Sequence, residues 1–267
     1  MATAAAVQRR FSWYELMTMD PKAAQAFYTN LLGWGLQDFN PGNVATNEAY
    51  VMWTRDNQPL GGVMRLPDEA RKMGAPPHWL AYVNVGNVNA ATEQAQKLGA
   101  KVYVPPTDIP GGGRFAVLAD PQGAVFGVVA SAQPTPEPAE PVRPQVGEVS
   151  WHELATTDQG AAFTFYNALF GWEKGEATDM GPMGVYQVFA RRGRPLGGIF
   201  NKPAQMPAPP HWLLYIRVPD VDKAAERVKA LGGKILNGPM DVPGGDRVVQ
   251  CMDPQGAAFA LHQPKSA

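Results

Sequence analysis

The sequence predicts an α+β chain of four βαβββ modules, and three observations predict it. The first is an internal duplication. FSWYELMTMD at 11–20 matches VSWHELATTD at 149–158, and AFYTNLLGW at 26–34 matches TFYNALFGW at 164–172. PLGGV at 59–63 matches PLGGI at 195–199, and APPHWLAYV at 75–83 matches APPHWLLYI at 208–216. DIPGGGR at 108–114 matches DVPGGDR at 241–247, and DPQGAVF at 120–126 matches DPQGAAF at 253–259. The order is constant and the offset drifts only from 138 to 133, so a gene segment has been duplicated. The second observation is that the strand–helix cycle runs twice inside each copy. The third is turn chemistry placed between the periodic runs.

The first copy shows the elements in order. FSWYELMT is aromatic and apolar enough for a strand. Asp20 is a good helix N-cap and Pro21 suits the first helical turn. Ala23, Ala24, Phe27, Tyr28 and Leu31 recur at helical spacing, and Gly33 ends the run. YVMWT and PLGGVMRL read as strands joined by RDNQ. The second cycle opens with the strand HWLAYVNV and continues into the helix NAATEQAQKL, which Gly99 stops. KVYVPP, RFAVLAD and AVFGVV are three further strands, the last two separated by the turn DPQG. The glycines of PLGG let a strand bend or approach a neighbour closely.

The repeats predict a first domain over 9–132, with modules at about 9–70 and 76–132, and a second over 147–264, with modules at about 147–204 and 209–264. Between them, 133–146 is a proline-rich linker. QPTPEPAEPVRPQ carries five prolines, which favour an extended, polyproline-like spacer.

Of the 267 residues, 45% are hydrophobic and 18% charged, with a formal net charge of -1. Nothing in that balance points to nucleic acid or an anionic membrane surface. MATAAAVQRRF lacks an apolar h-region, so it reads as a frayed terminus of a cytoplasmic protein. No run reaches the roughly 18 apolar residues of a membrane span. The single cysteine, Cys251, lies in an apolar strand and reads as a buried, inert thiol.

A strand, then Asp, then a helix ending in FY..LLGW resembles the opening of a vicinal-oxygen-chelate module, of the glyoxalase/bleomycin-resistance/dioxygenase superfamily. LGA or LGG after a second helix, with DPQGA before a final strand, is similar to its closing half. Together with WxEL, PPHW and DxPGG(x)R, the chain resembles a tandem glyoxalase-like protein. The resemblance implies two paired-module, glyoxalase-like domains with curved mixed sheets enclosing a cavity. It also implies metal ligands: a His or Glu on the first strand of each module and a Glu on the last. A divalent ion with open positions would polarise two neighbouring substrate oxygens. Here the first-strand positions hold Trp13, Leu80, Trp151 and Leu213, and the last strands hold Gly127 and Ala260. The PLGG strands carry no carboxylate. No metal or other cofactor is therefore expected in the regular geometry.

Strand alternation places the remaining candidates. If Trp13 points into the pocket, so do Glu15 and Met17, while Tyr14, Leu16 and Thr18 face the helices. If Leu80 points in, so do His78, Tyr82 and Asn84. The second copy repeats this with Trp151 and Glu153, then His211, Tyr215 and Arg217. Glu15, His78, Glu153 and His211 are the candidate catalytic residues. A desolvated Glu would have a raised pKa and serve as acid or base, with His as shuttle or carbonyl ligand. Trp13, Met17, Tyr82, Arg114, Trp151, Tyr215, Arg217 and Arg247 are the candidate substrate contacts, with Arg114 and Arg247 on a lid over the pocket.

Each has a plainer reading beside it. The tryptophans would be core fillers. The glutamates would pair with Arg114 and Arg247. The histidines would bond backbone at the module junction. The DxPGG(x)R segments would be strand connections with Arg paired to Asp108 or Asp241. His152 is read as structural, His262 as incidental and DPQG as a turn without function.

The leading functional reading is a metal-independent lyase or isomerase using a pocket Glu as base on a carbonyl-containing or aromatic substrate. The alternatives are a non-catalytic protein that sequesters an antibiotic or polycyclic compound, and a metal enzyme with a displaced Glu/His site. The expected partner is a small molecule, with no nucleic acid and no membrane. The four-module chain would act as a monomer mimicking a two-fold dimer, or as a homodimer.

Overall fold

The computed structural model describes residues 9–39, 50–132 and 143–265. Residues 133–142 of the proline-rich linker, and the terminus before Arg9, lie outside the described residues.

The first module contains β1 (Phe11–Thr18), α1 (Pro21–Leu32), β2 (Gly35–Asp38), β3 (Val51–Arg55) and β4 (Gln58–Arg65), followed by the short α2 (Asp68–Lys72). The second contains β5 (His78–Asn84), α3 (Val88–Lys97), β6 (Lys101–Asp108), β7 (Arg114–Ala119) and β8 (Val125–Ala130). The third contains β9 (Val149–Thr156), α4 (Gln159–Phe170), β10 (Glu173–Asp179), β11 (Val185–Arg191) and β12 (Arg194–Asn201). The fourth contains β13 (His211–Arg217), α5 (Val221–Ala230), β14 (Lys234–Asp241), β15 (Arg247–Met252) and β16 (Ala258–Gln263). β2 and α2 were not predicted. β2 is a four-residue strand, GLQD, exposed throughout and without an apolar stripe to announce it.

Local chemistry sets the boundaries. The Asp20 carboxylate accepts the Ala23 amide at 3.1 Å, and Gly33 closes α1 at φ 72°. Asp158 and Gly171 do the same for α4. In RDNQ, Asp56 and Asn57 both have positive φ, 49° and 61°. That is the mirror-image turn whose twist matches a two-residue hairpin.

Each repeat supplies one eight-stranded mixed sheet, in the order β2-β3-β4-β1-β5-β8-β7-β6 and β10-β11-β12-β9-β13-β16-β15-β14. Packing groups the modules into two compact units. Of the described residues, one holds those within 13–80, 143–150 and 213–265; the other holds 9–12, 81–132 and 151–212. Each core thus draws on both repeats.

In the first of these units, Leu16, Phe27, Trp34, Trp53, Val63, Phe259 and Leu261 pack around Tyr28. Trp79 Nε1 donates to Tyr28 Oη at 3.0 Å, and Tyr28 Oη donates to Asp253 Oδ2 at 3.2 Å. Asp253 Oδ1 accepts the Gln255 and Ala257 amides of its own turn, both at 2.9 Å. In the other unit, Trp212 Nε1 donates to Tyr166 Oη at 3.0 Å and Tyr166 Oη donates to Asp120 Oδ2 at 3.0 Å. Asp120 Oδ1 caps the amides of Gln122 and Ala124. Burial raises the pKa of both aspartates and of both tyrosines. The DPQG aspartates are therefore buried nodes of the cores as well as turn formers.

The glycine pair of PLGG allows close approach. A Cβ on Gly61 would lie 1.9 Å from the Tyr14 carbonyl oxygen, and one on Gly197 1.9 Å from that of His152. Among the described residues no helix is long and apolar enough to cross a membrane.

Candidate active site

β1 alternates as its sequence demands. Leu16 and Thr18 are fully buried on the helix side, and Tyr14 packs against the same core. Trp13, Glu15 and Met17 therefore share the opposite face. Trp13 is half-buried and is not among the core side chains. Its indole N–H donates to Tyr50 Oη at 3.0 Å. Tyr50, immediately before β3, in turn hydrogen-bonds Glu15. Glu15 is buried, 8% exposed.

The second repeat builds the same chain. Trp151 Nε1 donates to Tyr186 Oη at 2.8 Å, and Tyr186 Oη donates to Glu153 Oε2 at 3.1 Å. An indole nitrogen can only donate, so the phenol oxygen accepts from Trp and its own hydrogen goes to the carboxylate. Burial first, then the nearby glutamate charge, raises the pKa of both phenols far above the ordinary tyrosine value. The tyrosines are therefore neutral donors, and the carboxylate is the acceptor that ends each hydrogen-bond chain.

Both tyrosines sit over a glycine. Glu15 pairs with Gly62 across the parallel β1–β4 ladder, and Glu153 with Gly198 across β9–β12. A Cβ on Gly62 would lie 2.0 Å from Tyr50 Oη; one on Gly198 would lie 2.0 Å from Tyr186 Cζ and 2.2 Å from its Oη. The second glycine of PLGG is thus the space the phenol ring occupies. Sequence reasoning missed both tyrosines, although a signal existed: each stands nine positions before the proline of its PLGG.

The second modules differ more. Tyr82 pairs with Gly127 and lies over it, 2.1 Å from where a Cβ would stand, and meets the Phe115 ring edge-on at 6.2 Å. Tyr215 pairs with Ala260 and accepts a hydrogen bond from Gln250 Nε2 at 3.0 Å.

The remaining candidates have other engagements. His78 Nδ1 meets the Pro76 carbonyl at 2.7 Å and His211 Nδ1 that of Pro209 at 2.8 Å, so each is tied to backbone at a module junction. Burial lowers the pKa of His78, which keeps it neutral. Arg217 donates to the Pro144 carbonyl. Arg114 binds Asp108, Asn89 and the Pro106 carbonyl. Arg247 forks onto Asp222 at 2.8 and 2.9 Å and reaches Asp241 at 2.9 Å.

Arg114 and Arg247, the expected lid and anion contacts, are tied to their own hairpins and to the neighbouring helices. Their guanidinium nitrogens are occupied by hairpin and helix acceptors, and neither pairs with Glu15 or Glu153. The DxPGG(x)R segments are hairpin connections, closed by Ile109 N to Gly113 O at 3.0 Å and Val242 N to Asp246 O at 2.8 Å.

His152 faces the helix side. It stacks on Phe11 at 4.1 Å, bonds the Leu196 carbonyl at 3.0 Å, and burial pushes its pKa down to about 4. His262 is not incidental. Its Nδ1 meets Ser150 Oγ and its Nε2 meets Asp246 Oδ2, both at 2.8 Å.

A divalent cation does not fit the donors present. Trp, Leu, Gly and Ala side chains at the resemblance-implied positions have no ligating atom for it, and tyrosine rings cover Gly62, Gly127 and Gly198. Among the described residues no group of three His, Cys, Asp or Glu side chains could hold an ion.

Comparison with known proteins agrees with this architecture. The profile of the Glyoxalase/Bleomycin resistance protein/Dioxygenase superfamily matches residues 10–128 and 148–261. A Mycobacterium tuberculosis protein provisionally named glyoxylase CFP32 is 32% identical over 254 residues, covering 95% of this chain and 94% of its own. The anthracycline biosynthesis protein DauV of Streptomyces sp. strain C5 is 30% identical over 272 residues, covering 96% and 94%. Among solved structures, the Mn(II)-bound glyoxalase of Novosphingobium aromaticivorans aligns with a TM-score of 0.64 at 18% identity, over 98% of this chain and 84% of that one. The 2,2',3-trihydroxybiphenyl 1,2-dioxygenase of Sphingomonas wittichii aligns at 0.65 and 15% identity, over 97% and 91%. Those two likenesses speak to fold alone. The chain belongs to the Glyoxalase/Bleomycin resistance protein/Dioxygenase superfamily.

Proposed function

We propose that the chain is a small-molecule enzyme of lyase or isomerase type, in which Glu15 and Glu153 remove a proton from carbon beside a carbonyl. The observation that carries this is the Trp→Tyr→Glu hydrogen-bond chain present in both repeats. Its polarity leaves the carboxylate as the acceptor, and the phenol holds that carboxylate in one orientation. Proton abstraction needs a positioned base with an acceptor lone pair, and a carboxylate so held is one. The half-buried indoles of Trp13 and Trp151 supply flat apolar surface beside it. The carboxylates work without a metal in this reading, since the side chains at the resemblance-implied positions have no ligating atom.

The ligand we propose is planar and aromatic. Relatives named for anthracycline biosynthesis favour a fused-ring compound, and the indole faces suit one. A fused aromatic ketone such as α-tetralone is the test compound. In heavy water the protein exchanges deuterium into the carbon beside the carbonyl, followed by NMR. The double variant E15Q/E153Q is expected to lose ~100-fold or more of this rate while keeping affinity within a few-fold. Binding by the wild type without exchange would instead assign the chain to sequestration. Exchange retained in the double variant rejects the glutamate base.

A further inference from the structure

We infer that Tyr50 and Tyr186 are the groups that receive the negative charge developing on the ligand oxygen, so that the site selects enolisable ketones and their enols or phenols. This rests on the glutamate reading above and adds its electrophile. Three observations converge. The phenols are uncharged donors, each with its hydrogen directed at the carboxylate that would act as base. Each phenol oxygen also accepts an indole N–H, at 3.0 and 2.8 Å, which stabilises charge gathering on that oxygen. Each ring is seated by a glycine that no other residue could replace without displacing the hydroxyl. A purely structural aromatic would not need the hydroxyl, its two partners and a bare backbone beneath it in both repeats.

The chain couples the two halves of the reaction. The carboxylate takes the proton, so the ligand C–H bond breaks and a Glu O–H bond forms. The C–H electron pair becomes a C=C bond, and the carbonyl π pair moves onto oxygen. Nothing is oxidised or reduced. The glutamate, now neutral, no longer holds the phenol hydrogen by charge, and its new O–H can donate to the tyrosine oxygen. The phenol hydrogen is then free to turn to the ligand oxygen at the moment it becomes negative. Preorganised donors aimed at a developing oxyanion are among the strongest contributors to catalysis.

The test uses 1-naphthol, whose ring and hydroxyl mimic the enol of α-tetralone, with affinity read by calorimetry on the full chain. E15Q/E153Q imitates the protonated base, since its amide donates to the tyrosine oxygen and releases the phenol hydrogen. It is expected to bind 1-naphthol ~10-fold or more tightly than the wild type. Adding Y50F/Y186F is expected to erase that gain. G62A/G198A in the same glutamine background is expected to erase it independently, by moving the ring rather than removing the hydroxyl. A gain that is absent, or that survives the phenylalanines, overturns the assignment. The two readings fail separately: exchange surviving E15Q/E153Q rejects the base, whereas an unchanged 1-naphthol affinity rejects the tyrosine donor.

Discussion

The two repeats agree on one set of polar contacts and differ on another. Both keep a Trp→Tyr→Glu chain whose Trp and Glu lie on the first strand, and both supply the Trp→Tyr pair of a core node closed by the other repeat's Asp. They part elsewhere. Ser150, Asp246 and His262 form a hydrogen-bonded array in the second repeat, where the first has Ser12, Gly113 and Val129. His152 stands where the first repeat has Tyr14. Tyr215 takes a hydrogen bond from Gln250, whereas Tyr82 lies against Phe115. The shared contacts serve the fold and the proposed chemistry. The divergent ones lie around the second-module tyrosines, at the helix-side face of β9 and beside its start, so the two repeats need not take the same ligand.

The core nodes should be equivalent, and breaking each is the largest expected effect on stability. Asp253→Ala strands the Tyr28 hydroxyl and two turn amides. It is expected to cost about 3 kcal/mol, measured by urea unfolding, and Asp120→Ala should cost the same within about 1 kcal/mol. A neutral Asp253→Ala would remove the aspartate from the core's account.

Next comes a difference that pH exposes. In the folded chain His152 has its pKa pushed down to about 4, against an ordinary value of 6.5. Above pH 6.5 both states are neutral there and the residue adds no pH dependence. As pH falls from 6.5 towards 4 the unfolded chain binds the proton and the folded chain does not. Stability is lost through that window, by up to about 3 kcal/mol. His152→Tyr, which installs the first repeat's residue, is expected to flatten that part of the urea-midpoint profile. A profile unchanged by the substitution would place the titration elsewhere.

The Ser150–His262–Asp246 array is the smaller test. His262→Val restores the first repeat's residue and removes two hydrogen bonds. A loss of about 1 kcal/mol is expected at neutral pH, since Asp246 stays partly solvated. A loss several times larger would mean the array anchors more than the ends of β9 and β16.

Much of this was legible in the chain, and what was not has a physical reason. The repeats, the Asp20 and Asp158 caps, and the shared face of Trp13 and Glu15 opposite the helices follow from local chemistry and period-two alternation. The roles of Tyr50 and Tyr186 do not. They depend on a partner more than thirty positions away and on a glycine of the neighbouring strand, neither of which local periodicity encodes. DPQG announces a turn, but one carboxylate oxygen closes the turn and the other meets a helix of the opposite repeat. Arg114 and Arg247 show the converse. Their position after a glycine-rich loop suggested a ligand contact, while the aspartates that hold them lie nearby in sequence.

The most direct measurement compares wild type, E15Q, E153Q and the double variant for deuterium exchange into α-tetralone. If each repeat carries its own base, each single variant keeps about half of the rate and the double variant keeps ~1% or less. One single variant silencing all exchange would confine the chemistry to one repeat. Full exchange in the double variant would contradict the claim that these carboxylates remove the proton.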